Sequence, residues 1–454
     1  MVRRGSLGAS SILCSALLAA ACGDSEPTGP RLATGGGGNA APTGGTGGTG
    51  ATGAGGTSTG AAASGGALTG GMASGGLATG ASPGDGGAAT GGLSSGGAAP
   101  TGGGPASGGM GGATSSCEPF VAPEDCEIRD GEVLPSELRC TGLYSDWESK
   151  TLHCAARAYA PASALWTDGA GKKRYVALPE GTTIDGSDPD DFVYPVGTKF
   201  WKEFSVGDEP QRVGETRLLQ KSELGWIYTT YVYDDEGNAL QMNDGVEDLF
   251  GSGHSVPSRE QCKSCHAGRK DYVLGWDLFM MGPGASGITR EDLVSEGLLE
   301  GWSEAGLDEQ TLSALNFPGD ETEAAALAYM HANCGVSCHN ETTNASGRPS
   351  GLYLRVEVNE ASSALTTDAV TSGINRNPSP NAETTGLPPA TDPFYDFRPL
   401  DPERSLSLAR MEYRGSATAM PPLGTHQIDE EGVSLVRAWI ESMSEARGYP
   451  APAP

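Results

Sequence analysis

Residues 163 to 250 carry the pattern of short strands. Lys173 to Leu178 is one run, and it stops at Pro179-Glu180-Gly181, residues that turn a chain because proline fixes φ and glycine accepts either sign. Trp226 to Tyr233 is rich in aromatic and β-branched side chains and leads into Asp234-Asp235-Glu236-Gly237-Asn238, a hairpin signal. Trp201, Phe204, Trp226, Tyr228 and Tyr231 are the expected core of a small β-sandwich. Further on the period becomes helical. Glu321 to Met330 (ETEAAALAYM) is made of good helix formers, and Glu430 to Ile440 sets Val433, Val436 and Ile440 on one side. Ser258-Arg259-Glu260-Gln261 has the Ser-x-x-Gln form of a capping box, so a short helix is expected to start there and deliver Cys262. The expected class is α+β: a β-rich, sandwich-like module followed by mainly α-helical structure.

The first 116 residues follow neither period. Met1-Val2-Arg3-Arg4, the apolar run Ser11 to Leu18 and the small residues Ala19-Ala20-Ala21 before Cys22 make a secretory signal, too short for a permanent span. A cysteine after three alanines looks like a bacterial lipobox, with Cys22 the lipidated first residue of the mature chain. Ordinary cleavage near Ala21 is the alternative, and on either reading the protein leaves the cytoplasm. From about Ala33 to Ser116 the chain is mostly Gly, Ala, Thr and Ser, and no aromatic residue occurs before Phe120. Such a segment cannot bury enough apolar surface to offset its chain entropy and is expected to be a disordered tether. As a flexible coil its r.m.s. reach would be about 50 Å.

The formal charge of −28 falls on the remaining residues, 117 to 454, because basic and acidic residues balance before them. This argues against nucleic acid or anionic lipid as a partner and permits a basic protein.

Ten cysteines divide by position. Cys14 belongs to the signal and Cys22 to the anchor. Cys117, Cys126, Cys140 and Cys154 read as two disulfides of an oxidising compartment, with three pairings open. Cys262-Lys263-Ser264-Cys265-His266 is an uninterrupted C-x-x-C-H, the pattern in which two thiols attach haem and the adjacent histidine supplies the proximal nitrogen. A redox dithiol, one zinc gathered by four thiolates, and a further disulfide are the alternatives.

Cys334-Gly335-Val336-Ser337-Cys338-His339 repeats the pattern with one extra residue, which Gly335 is expected to absorb by looping outward. Its flanks favour haem. The helix Glu321 to Met330 precedes it, and Met420-Pro421-Pro422 followed by a terminal helix comes after, the order of a class I cytochrome c domain. Met420 is therefore the candidate sixth ligand opposite His339, with Met411 and His426 as competitors. For the first site Met280, Met281 and His254 stay open, as does a five-coordinate iron.

With Asp168-Gly169-Ala170, Lys172-Lys173-Arg174, Tyr194-Pro195-Val196-Gly197-Thr198, Glu215-Thr216-Arg217-Leu218-Leu219, both Cys/His motifs, Asp401-Pro402-Glu403-Arg404-Ser405 and MPPLGTHQIDEEGVSLVRAWI in view, residues 155 to 443 resemble the secreted dihaem c-type cytochromes of bacterial surfaces. The resemblance implies one-electron transfer with two haem c groups and a redox partner protein. It divides the chain into a signal (1–22), tether (23–116), cysteine-rich segment (117–160), β-rich module (161–252), first haem region (253–317), second cytochrome c-like domain (318–446) and tail (447–454). A dihaem peroxidase or oxidase and a redox-inert surface-binding lipoprotein are the rival functions.

Overall fold

The aromatic and β-branched runs pair into one large sheet. The computed structural model describes residues 117–127, 133–378, 394–414 and 418–454; the leader, Cys22 and the Gly-rich tether lie outside them. A hairpin of β1 (Tyr144–Asp146) and β2 (Thr151–Leu152) is followed by β3 (Arg157–Ala160) and β4 (Gly171–Ala177), with the short β5 (Ile184–Asp185) in the next connection. Then come β6 (Lys199–Val206), β7 (Arg212–Ser222), β8 (Gly225–Tyr233), β9 (Ala239–Met242) and β10 (Ser286–Gly287). These build a seven-stranded antiparallel sheet in the order β10-β3-β4-β6-β7-β8-β9, while β11 (Leu299–Glu300) pairs in parallel with β5. The turn into β9 closes as its residues demand, with Asp234 N–H donating to the Asn238 carbonyl at 2.9 Å and Asn238 N–H to Asp234 Oδ1 at 2.8 Å.

Cross-strand register sorts the side chains by face. Tyr175, Trp201 and Leu218 lie opposite one another on β4, β6 and β7, and with Tyr231 they bury Leu138 and Leu143 of the cysteine-rich segment. That segment is pinned down by Trp201 Nε1 donating to Thr141 Oγ1 (3.1 Å) and Tyr144 O–H to Glu203 Oε2 (2.7 Å). Its four cysteines form two disulfides, Cys117–Cys154 and Cys126–Cys140.

The opposite face turns toward the helices: α1 (Arg259–His266), α2 (Arg290–Ser295), α3 (Glu309–Ala314), α4 (Glu321–Met330), α5 (Asp368–Gly373), α6 (Leu406–Glu412) and α7 (Glu430–Ser442). The main core takes Val176 and Phe200 from the sheet, Trp276 and Phe279 from the middle of the chain, and Leu327, Met330, Val436, Trp439 and Ile440 from α4 and α7. Each such side chain contributes on the order of 1.5–3 kcal/mol by burial. One core thus draws on residues from 159 to 449.

Two expectations of fold class are corrected. The β module is not a sandwich, because the expected core aromatics point to opposite sides of one sheet: Trp201 and Tyr231 lie on the face under the disulfides, while Phe204 joins Val206 and Leu249 and Trp226 packs on the main core. Nor is the remainder mainly α-helical. Its longest helices, α4 and α7, are the two that the sequence marked, α4 by helix-forming residues and α7 by its apolar period, and the chain between them runs through 3₁₀ turns and helices of six or seven residues. Asn, Gly and Pro are frequent there, and each of these weakens a continuing helix.

Candidate cofactor-binding site

The first motif lies on α1, and the capping box forms as its residues require. Ser258 Oγ accepts from Gln261 N–H at 3.3 Å and Gln261 Oε1 accepts from Ser258 N–H at 2.8 Å, satisfying two orphan donors of the first turn. This fixes a helix that carries Cys262 and Cys265 as free, half-buried thiols and ends on His266. His266 Nδ1 lies 2.6 Å from the Tyr272 carbonyl. A carbonyl only accepts, so Nδ1 holds the proton and Nε2 the lone pair. Burial lowers the imidazole to about 4, helped by the Lys202 and Arg217 charges and opposed by the Tyr272 bond, so the ring is neutral near pH 7.

The second motif reaches the same arrangement by another route. Helix α4 passes into a π turn at His331–Gly335, with Val336 N–H on the His331 carbonyl at 2.9 Å. His339 N–H then bonds the Cys334 carbonyl at 2.9 Å, a bond five residues long where an α-helix would span four. The wider bond takes up the extra spacer residue, so Cys334 and His339 are linked across one turn as first cysteine and histidine are in a C-x-x-C-H helix. Gly335 does not loop outward. It is buried, and a Cβ there would lie 2.5 Å from the backbone of Leu354 and Arg355, so its role is to admit that chain. His339 Nδ1 sits 3.1 Å from the Leu352 carbonyl, which leaves Nε2 available, and burial lowers its pKa.

The fold sets the motifs side by side. A Cβ on Gly268 would lie 1.8 Å from the carbonyl oxygen of Ser337, so backbone of one motif abuts backbone of the other. Cys265 and Cys338 lie near enough for their thiols to act on each other, which raises the first and lowers the second. Cys334 is pushed up to about 12 by burial, and burial raises Cys262 against the opposing Arg217 charge. The four sulfurs do not gather around one point. Among the described residues the grouping close enough for a metal is Cys117, His153 and Cys154, whose two sulfurs are joined to each other. A single tetrathiolate zinc is thereby disfavoured.

The candidate distal ligands are scattered. Met420 is half-buried; its N–H donates to the Arg410 carbonyl at 2.9 Å, and Arg410 is near enough to His339 for its charge to depress that imidazole. Met281 and Met411 belong to the main core, and Met280 is fully buried. His254 has Nε2 on Glu215 Oε1 at 2.8 Å and its ring on Phe204, while His426 is exposed. The buried His331 uses both nitrogens: Nδ1 accepts from Val356 N–H at 3.1 Å, so Nε2 carries the proton toward Asp277 at 3.3 Å.

Two features beside the motifs escaped the reading of the sequence. Arg174, Lys202 and Arg217 stand in one cross-strand row on the sheet face near α1. Trp166 donates its backbone N–H to Asn333 Oδ1 at 2.7 Å, next to Cys334, and its Nε1 is buried without a partner. The basic run Lys172-Lys173-Arg174 within a strand, which puts Lys172 and Arg174 on one face, was the available signal. Comparison with family models, with curated proteins and with solved structures finds no match.

Proposed function

We propose that the protein is an extracytoplasmic, lipid-anchored one-electron carrier that holds two c-type haems, one at Cys262, Cys265 and His266 and the other at Cys334, Cys338 and His339. The observation that carries this reading is the paired geometry. Two motifs far apart in sequence lie in contact, and each combines free thiols with a half-buried histidine whose Nδ1 is held by a backbone carbonyl. That bond fixes ring orientation and tautomer and leaves Nε2 for iron, as metal-bound histidines require. The surroundings also fit the group. Two buried donors lack a protein partner: Arg174 Nη2, in the cross-strand row whose members Lys202 and Arg217 act on His266, and Trp166 Nε1, whose residue is bonded through its backbone N–H to Asn333 beside Cys334.

Bound haem would supply reversible one-electron chemistry. The chain's part is to hold the imidazoles neutral by burial, to exclude water with the main core, and to keep the attachment sites in contact through Gly268 and Ser337. Met420 is the proposed distal ligand of the second site. Cys22 would anchor the protein, the Gly-rich segment would give it reach, and a basic redox partner would complement the acidic surface. The test is intact mass with a haem count by pyridine haemochrome on the full chain made with a haem-attachment system. Two haems support the reading, one restricts it to Cys262 and Cys265, and none overturns it.

A further inference from the structure

Charges inside a sheet face are expensive unless something answers them, and one face of this sheet holds a row of them. Arg174 on β4, Lys202 on β6 and Arg217 on β7 are direct cross-strand neighbours, so their side chains leave the same face side by side. On one side of the row lies the apolar group around Phe204, on the other Val176 and Phe200 of the main core. Lys172 adds a fourth cation on that face. Glu215 answers Arg217 through two bonds of 3.0 and 2.6 Å and shares its Oε1 with His254. Neither Arg174 nor Lys202 makes an ion pair among the described residues, and Arg174, only 6% exposed, has Nη2 buried without any partner. Like charges directly opposite each other on neighbouring strands repel, so the row stores a cost that an anion would relieve.

The row also faces the first Cys/His motif. The charges of Lys202 and Arg217 act on His266, and that of Arg217 acts on Cys262 and Cys265. Burial and the neighbouring cations push the Lys202 ammonium well below its usual range, the signature of a charge that lacks a counter-ion.

We infer that Arg174, Lys202 and Arg217 form the seat for the two carboxylates of the haem attached at Cys262 and Cys265. This rests on the haem reading above. Glu215 answers Arg217, and Lys172 feels the charges of Asp168 and Asp429, so Arg174 and Lys202 are the two cations left for the two propionate groups. The planar fork of Arg174 suits a carboxylate in two-point contact, and the lysine adds a compact charge beside it.

The experiment measures the midpoint potential of each haem in the full, haem-loaded chain for the wild type, Arg174→Gln and Arg174→Lys, after mass has established the haem count. Removing a cation beside the iron favours its oxidised form. Arg174→Gln is therefore expected to raise the ferric-to-ferrous ratio of the first haem at a fixed poise by on the order of tenfold. The second haem should stay unchanged, and Arg174→Lys should restore most of the effect. A first-haem potential unmoved in Arg174→Gln overturns the assignment. So does a wild-type spectrum of the first haem that shifts on titration with inorganic phosphate and no longer does so in Arg174→Gln, because the seat would then serve a free anion. If Arg174→Gln fails to fold, Lys202→Gln reads the same charge from the neighbouring strand. Absence of any attached haem would sink the haem reading itself, which separates the two failures.

Discussion

Replacing Gly268 by alanine tests whether the two motifs are pressed together. The new Cβ would start 1.8 Å from the Ser337 carbonyl oxygen and 2.7 Å from its carbon, against an ordinary contact of 3.4 Å or more. Both atoms are backbone, so no rotamer change relieves them and the two segments must part by about 1.6 Å. Gly268 does not occupy the left-handed region, so alanine meets no strain of its own there. Overpacking of this kind costs about 1–3 kcal/mol, and a backbone clash belongs at the upper end. The smaller unfolded-state entropy of alanine returns about 0.4–1 kcal/mol. The net loss is about 2 kcal/mol, which with a urea slope of about 3 kcal/mol/M moves the unfolding midpoint down by about 0.7 M. Urea unfolding of the full chain, followed by tryptophan fluorescence, reads this directly. A midpoint within about 0.1 M of the wild type would refute the close approach on which the paired-site reading depends.

Glu215→Leu leaves the half-buried Arg217 without its carboxylate and the buried His254 without its acceptor, and should cost about 3 kcal/mol, read as a lowered thermal or urea midpoint. Asp190 has its carboxyl raised to about 7 by burial, with Arg355 opposing. Because the folded pKa lies above the unfolded value of about 3.9, this stabilising term is complete below pH 4 and is lost as the pH rises toward and through 7, at up to about 1.4 kcal/mol per unit. Asp190→Asn should flatten that decline in urea titrations between pH 5 and 8, leaving the parallel contributions of Glu360 and Asp396, and an unchanged slope would rule the cause out. Met420→His in the haem-loaded chain should lower the potential of the second haem and spare the first, since methionine opposite histidine raises it. Potentiometric titration that finds both unchanged would remove Met420 from the iron.

The parts of the fold that could be read in advance were those set by local chemistry. The turn at Asp234 to Asn238 needs only its own side chains, the Ser258 and Gln261 cap closes within one turn, α4 is made of strong helix formers and α7 carries its apolar stripe in sequence. The sandwich expectation failed at the next scale. Alternation along a strand says that Trp226 and Tyr231 point to opposite faces, but it does not say what covers each face. Here one cover is a disulfide-tied segment without extended strands of its own beyond a small hairpin, and the other is mixed helix and loop.

The site divides along the same line. The two Cys/His motifs are short and local and so stand out in the sequence, whereas Arg174, Lys202 and Arg217 become neighbours only through the register of three strands. The second motif shows why a spacing rule can mislead in the other direction. What the proposed haem attachment would need is two thiols and an imidazole with its far nitrogen free, the first cysteine and the histidine one hydrogen-bonded turn apart, and residue count is a proxy for that. A turn closed by an i to i+5 bond from His339 to Cys334 meets the need with one residue more, and the preceding π turn at His331–Gly335 prepares the helix for it. The quantity shared by the two motifs is therefore the bond across the turn together with the carbonyl on Nδ1, at Tyr272 in one and Leu352 in the other.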